Sequence, residues 1–218
     1  VMPTSYYNLV SESMVIPSGK IQGGLKVQLT DAFFADAKSL SCNYVIPVKL
    51  NSVKGADSIL SDKNFVLYAI KYVNPWQGIY LRRGVDKITT ASGTTTNVRH
   101  ATEVENDELH TVPTGALNKA LMVIAVKDAA GKDHNCTLIL TFNDNGVCSV
   151  STETEGFEVS GTGSFVIKGE KESMGGIDRN ALYLNYTVKS QTLATTVATT
   201  DTMVVRNRGI KPEYFTVK

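Results

Sequence analysis

Cysteine is scarce in this 218-residue chain, a single tryptophan serves all of it, and no stretch approaches about 18 uninterrupted apolar residues. The last absence excludes a membrane-spanning helix. The three cysteines, Cys42, Cys136 and Cys148, are odd in number and show no CxxC spacing, so small apolar strand residues are their plain reading. Cys136 and Cys148 flank an expected hairpin, and a bond between them is open if they come to lie opposite each other. His100, His110 and His134 are scattered and sit near no cysteine pair, so no metal site is expected. Excess charge of either sign is missing too. Lys and Arg number 22 against 21 Asp and Glu, which argues against nucleic acid or an anionic membrane as partner.

Catalytic motifs are equally absent. "VSGTGSF" is only a loose echo of G-x-S-x-G, and Gly161 and Gly163 more simply permit a bulge or bend. "GTGS" precedes no helix whose N-terminus would cradle a phosphate, and no twelve-residue calcium loop occurs. No cofactor is expected. Asn135 and Asn185 stand in Asn-x-Thr sequences, which matter only in a eukaryotic secretory pathway. The opening "VMPTSYYNLV" lacks a basic n-region and an apolar h-region, so it contains no signal peptide. Beginning on Val, already mid-pattern, it reads as a trimmed fragment with any export signal or lipid anchor upstream.

What is present is strand after strand. "MVIPSGK", "GGLKVQL", "NYVIPVKLNSV" and "NFVLYAIKYV" are rich in β-branched and aromatic residues and are bounded by Gly, Pro, Asn or Asp. "GIYLRR", "TNVRHATEV", "ELHTV", "NKALMVIAVK", "CTLILTF", "GVCSVST", "FEVSG", "GSFVIKG", "ALYLNYTVK" and "TMVVRNR" continue the pattern. Asn145-Gly146 suits a tight hairpin turn, and "GEKESMGGIDRN" is the longest polar loop. "TLATTVATTDT" lacks proline, so it reads as a long strand or hairpin and not as a stalk. The one helical signal is a short turn in Thr30–Leu40, capped by Thr30 or Asp31, with Phe33, Phe34 and Leu40 inward. Crossover helices are missing, so the sheets are antiparallel and the fold class is all-β.

Pro75 restricts Asn74 and ends the strand before it. Residues 1–73 therefore read as an immunoglobulin-like sandwich of about four to five strands, short of the usual complement and so N-terminally incomplete. Residues 74–218 supply nine or ten strands for an antiparallel lipocalin-like barrel or a sandwich.

Several stretches resemble a family of secreted surface lipoproteins of gut Bacteroidetes: "MPTSYYNL", "VIPSGK", "LTDAFFAD", "YVIPVKL", "GADSIL", "YVNPWQGIYLRRG" and "DTMVVRNRGIK". The family joins an N-terminal immunoglobulin-like domain to a C-terminal domain, both of unknown function. The resemblance implies an exported protein, in the periplasm or on the outer-membrane surface, lipid-anchored in its full-length precursor. It also implies polysaccharide or host glycan as ligand and other outer-membrane glycan-uptake proteins as partners. It supplies no catalytic residue, and the lipobox cysteine of the family is not in this stretch.

In "NPWQGIYLRRG", Trp76, Gly78 and Tyr80 alternate on the first strand of the second domain, and Arg206 and Arg208 alternate on the last. In a closed barrel those strands are neighbours, and a guanidinium over the indole would plug one end. Trp76, Gly78, Arg206 and Arg208 are thus the expected closure device. Sugar binding stacks a pyranose on an exposed aromatic ring, with Arg forks and amides on the hydroxyls. Tyr80, Arg82, Arg83, Arg99 and Tyr183 are the candidate ligand contacts, with Asn97 and Glu103 beside them; Tyr6, Tyr7 and Tyr186 are further aromatics. Glu103, Glu105, Asp107 and Glu108 concentrate carboxylates; Asp107 and Glu108 are expected to sit solvated in a polar turn, and neither a glycosidase pair nor a calcium site is expected.

The expectation is a non-catalytic glycan-binding or glycan-handling accessory protein at the cell surface. A structural spacer or adhesion module is the first alternative, and a glycoside hydrolase the second.

Overall fold

The structure is a computed structural model and describes residues 1–211, 213 and 214. The chain divides into two compact units, Val1–Val73 and Asn74–Lys218. It is all-β, with every sheet antiparallel. No helix among the described residues is long and apolar enough to cross a membrane, which says nothing of strands.

Unit 1 holds four strands in two ladders. β1 (Tyr7–Leu9) pairs β2 (Val27–Leu29), and β3 (Tyr44–Lys49) pairs β4 (Phe65–Ile70). Between them runs α1 (Asp31–Ala35), followed by a 3-10 turn at Ala37–Leu40. Thr30 precedes α1, but its hydroxyl donates to the Ser5 carbonyl instead of capping the helix. The core is Phe33 with Met2 and Ile46, and Tyr6, Tyr44, Phe34 and Tyr72 pack around it edge-on. Met14–Lys20, read from the sequence as a strand, is not one. Pro17 has no N–H for a ladder, and its carbonyl accepts from Lys20 N in a turn that Gly19 completes at φ 76°.

Unit 2 carries one sheet of ten strands: β5 (Gly78–Thr90), β6 (Gly93–Arg99), β7 (Glu108–Val112), β8 (Thr114–Ala116), β9 (Lys119–Lys127), β10 (Asp133–Phe142), β11 (Val147–Thr152), β12 (Glu158–Glu170), β13 (Arg179–Ser190) and β14 (Thr195–Asn207). Their order is β6-β5-β14-β13-β12-β11-β10-β9-β8, with β7 alongside β5. The first and last long strands are indeed neighbours: β5 pairs β14 from Ile79 opposite Asn207 to Thr89 opposite Thr196.

The closed cylinder does not form. The segment that would close it is divided by Pro113: β7 pairs β5, β8 pairs β9, and neither carries a ladder on both sides. Proline cannot donate at the point where one ladder would hand over to the other. The sheet therefore stays an open path that folds over its own apolar face. That face shows the period of two: Ala120, Met122, Ile124 and Val126 on β9 and Cys136, Leu138, Leu140 and Phe142 on β10 are all buried. Leu182, Leu184 and Met203 complete the core, and each such side chain contributes about 1.5–3 kcal/mol by leaving water.

"FEVSG" and "GSFVIKG" form the single strand β12 and not two. Gly161 lies opposite Tyr186 and Gly163 opposite Leu184. A Cβ on Gly161 would come 2.4 Å from the Tyr186 Cβ. The glycines make room for large core neighbours on β13 and do not break the strand. Cys136 and Cys148 are both buried and unbonded, because Cys148 faces Phe142 while Cys136 faces Ile124. Burial alone pushes the Cys148 thiol up to about 12, so it stays protonated and inert.

Candidate functional site

The "NPWQG" stretch is a rigid entry to unit 2. Asn74, fully buried, accepts from the amides of Trp76 and Gln77, while its amide group donates to the carbonyls of Ala116 and Lys119. Arg208 grips the same turn, donating to the carbonyls of Pro75 and Asn74 at 2.6 and 2.5 Å. The indole of Trp76 stacks on Phe142 instead, with ring centroids 4.0 Å apart and planes 6° from parallel. Arg206 is exposed and falls in the register shift between Val205 and Asn207. The expected guanidinium-over-indole plug is thus replaced by a guanidinium on backbone carbonyls beside a ring-on-ring stack. Gly78 keeps the space that the Asn207 carbonyl, 2.9 Å from an ideal Cβ, requires.

The expected ligand contacts divide between core and outer face. Tyr80 is fully buried and donates to the Trp76 carbonyl at 2.6 Å, so no ligand reaches its ring. Arg82 is buried as well. Its Nε donates to Asp201 Oδ2 at 3.0 Å and its Nη2 to the Tyr186 hydroxyl at 3.0 Å. Arg99 reaches the other oxygen of Asp201 at 2.6 Å and binds Asp86 through two nitrogens. Thr199 donates to Asp86 as well. This lattice joins β5, β6, β13 and β14, and every charge in it is matched. Its role is to hold four strands in register, and burial with the negative charge of Asp201 drives the Tyr186 hydroxyl well above its usual value.

Arg83 and Tyr183 lie on the opposite face, in one cross-strand row through Thr202. Arg83 is spent on Asp107 at 2.5 Å, and Tyr183 donates to Glu170 at 2.7 Å. Burial, then Glu170, pushes the Tyr183 hydroxyl up to about 12. Of the carboxylates of "EVENDEL", Glu103, Glu105 and Glu108 are exposed and Asp107 is buried. Asp107 is 6% exposed and also accepts from Ala101 N, Glu105 accepts from Gly175 N, and Glu108 sits 3.6 Å from His110.

A recess not singled out from sequence lies within unit 1. It is a groove of about 730 Å³ along β3, β4 and the 12–27 segment. Cross-strand pairing puts Tyr68 opposite Ile46 and Val66 opposite Val48 on one sheet face, and Ile46 is core. Phe65 and Ala69, of the other parity, line the groove too, so it wraps around the unpaired edge of β4. Phe65 is 60% and Tyr68 55% exposed. Asn64, Lys63, Lys49 and Glu12 also line the groove and supply it with polar groups.

The far wall needs glycine. A Cβ on Gly23 would stand 2.6 Å from the Val15 carbonyl, so only glycine lets the two arms of the 10–26 loop lie this close and bring Met14 to the groove. Asp36 braces the sheet nearby, accepting from the hydroxyls of Tyr44 and Tyr6 and from Lys38 N. These donors, Tyr44 first, hold its carboxyl below the usual range. The signal available in the sequence was "KNFVLY", which places two aromatics of opposite parity next to Asn and Lys without a capping charge.

No group of three or more His, Cys, Asp or Glu among the described residues could hold a metal. The family model of a domain of unknown function, DUF5627, matches residues 75–209.

The chain belongs to the DUF5627 family. A second family model, of an N-terminal domain, matches residues 1–57. A crystal structure of a protein of unknown function from Bacteroides ovatus, at 2.40 Å resolution, is 45% identical, with a TM-score of 0.88; the match covers 96% of this chain and 73% of that one. No curated protein matches the chain. The resemblance to a two-domain Bacteroidetes protein therefore holds for the pair of domains and the group of organisms.

Proposed function

We propose that the chain is a non-catalytic, exported glycan-binding accessory protein, lipid-anchored at the outer membrane in its full-length form. Its ligand lies in the unit 1 groove. The observation that supports this reading is the pairing of two exposed rings, Phe65 and Tyr68, with the amide of Asn64 and the ammonium groups of Lys49 and Lys63. A pyranose presents an apolar C–H face to a ring and hydroxyls to amides and cations around it, and this recess offers both. Among the candidates of unit 2, Tyr80 and Arg82 are buried and paired, and the half-buried Arg83 and Tyr183 are already bonded to Asp107 and Glu170. Binding of the full chain to an array of bacterial, plant and host glycans tests the reading. Retention of one glycan class that Tyr68→Ala loses supports it, and silence across the array contradicts it.

The second reading is an adhesion module, favoured by a different observation. Most of the large apolar side chains exposed among the described residues belong to unit 1, including Val15, Ile16, Val53 and Leu60 besides Met14 and Leu50, which line the groove. Apolar surface of that extent also suits a protein partner. Silence on the array together with capture of an outer-membrane uptake protein would favour it.

A further inference from the structure

The end of the unit 2 sheet carries a second feature, independent of the groove. Among the described residues β6 pairs only with β5, from Gly84 opposite Arg99 to Thr90 opposite Gly93, and its other edge has no ladder. Every residue from Gly93 to Val98 is exposed. A free edge of this kind offers a row of backbone donors and acceptors, and proteins ordinarily block it with charge, proline, a bulge or shortness. The other end of the same sheet is blocked in two of those ways: β8 is only three residues long and follows Pro113. β6 has none of them. "GTTTNV" contains no charge and no proline, its ladder with β5 is regular, and Arg99 at its end is turned onto Asp86 and Asp201.

We propose that β6 pairs antiparallel with β6 of a second copy of this chain, joining two unit 2 sheets edge to edge about a two-fold axis at Thr96. The sequence is self-complementary in that register. Thr96 meets Thr96, Thr95 meets Asn97, Thr94 meets Val98, and Gly93 meets Arg99. β-branched and hydroxyl pairs are those that stabilise antiparallel neighbours, and no like charges oppose each other. Gly93, with nothing within 4 Å of an ideal Cβ, leaves room for the Arg99 stem. Lys87 is opposite Thr96 on β5, so the two copies of this lysine are held about 14 Å apart, three strand spacings, beyond a Debye length at physiological salt. A single-strand interface is small, so the dimer is a weak one that forms with rising concentration. One class of partner, a second copy, fits the symmetry of the register better than an arbitrary strand.

Cysteine cross-linking decides the register. In the full chain with Cys42→Ser, Thr96→Cys puts two thiols on directly opposed residues, whose Cα atoms lie about 4.5–5.5 Å apart, inside the disulfide range. Thr94→Cys puts its thiols about 13 Å apart in the same register. The expected result is a covalent dimer of Thr96→Cys under mild oxidation, formed at least tenfold faster than that of Thr94→Cys. Sedimentation velocity of the unsubstituted chain should show concentration-dependent dimer, and Thr96→Lys should raise its dissociation constant at least tenfold. A monomer at every concentration, or equal cross-linking of the two cysteine variants, overturns the proposal. If Thr96→Lys fails to fold by circular dichroism, the cross-linking comparison still decides.

Discussion

Gly84 lies directly opposite Asp201, and a Cβ at Gly84 would stand 2.6 Å from the Asp201 Oδ1. The missing side chain is what lets one carboxylate turn toward Arg82 and Arg99 together. The last glycine of "NPWQGIYLRRG" is therefore part of the charge lattice. Gly84→Ala should lower the stability of unit 2 by about 1–3 kcal/mol, the usual cost of forcing extra atoms into a packed site. Trp76, the only tryptophan, lies in unit 2, so its fluorescence during urea unfolding follows that unit selectively.

Removing the carboxylate should cost more. Asp201 is 1% exposed and binds both arginines and the Tyr186 hydroxyl. Asp201→Ala leaves the buried guanidinium of Arg82 and the half-buried one of Arg99 short of a partner, and loss of one member of a buried pair typically costs about 3–5 kcal/mol. The same fluorescence titration checks it, and Tyr186→Phe, which removes one neutral partner, should cost about 1 kcal/mol.

Acid should weaken unit 2 in two windows. Burial, with the charge of Arg82, holds the His110 imidazole below its usual 6.5 despite the nearby Glu108. The unfolded chain then takes up a proton first, so stability falls as pH drops from about 6.5 toward the folded value. His110→Gln should flatten that part of the pH profile. Burial raises Asp86, but the hydrogen bonds of Arg99 and Thr199 outweigh it and leave the carboxyl below 3.8. Its contribution is complete above that pH and is lost as pH falls through the folded value. Melting temperatures from pH 7 to 3, with and without each substitution, separate the two windows.

Arg208 clamps two carbonyls with a planar fork, which lysine lacks. Arg208→Lys should therefore destabilise unit 2 nearly as much as Arg208→Ala, by about 1 kcal/mol for an exposed charged pair of hydrogen bonds. Equal stability of Arg208→Lys and the unsubstituted chain would mean that the clamp acts through charge alone.

The all-β class was legible because alternation and turn residues act locally, as in "NKALMVIAVK" and "FNDNG". The adjacency of β5 and β14 was legible only through the expected barrel, whose first and last strands would be neighbours. Closure failed at Pro113, a local fact whose effect depends on which strands meet there. Tyr80 and Arg82 misled for a related reason. Strand alternation says that they share a face, but not whether that face is lumen or solvent. The groove was missed because its walls, β4 and the 12–27 segment, are far apart in sequence and each alone looks like ordinary strand or loop.

Calorimetric titration of the full chain with a glycan retained on the array tests the site most directly, comparing Tyr68→Ala in unit 1 with Tyr183→Ala in unit 2. The account predicts a loss of about tenfold in affinity for Tyr68→Ala, near 1.4 kcal/mol, and no change for Tyr183→Ala. Unchanged binding by Tyr68→Ala with a loss in Tyr183→Ala would contradict it.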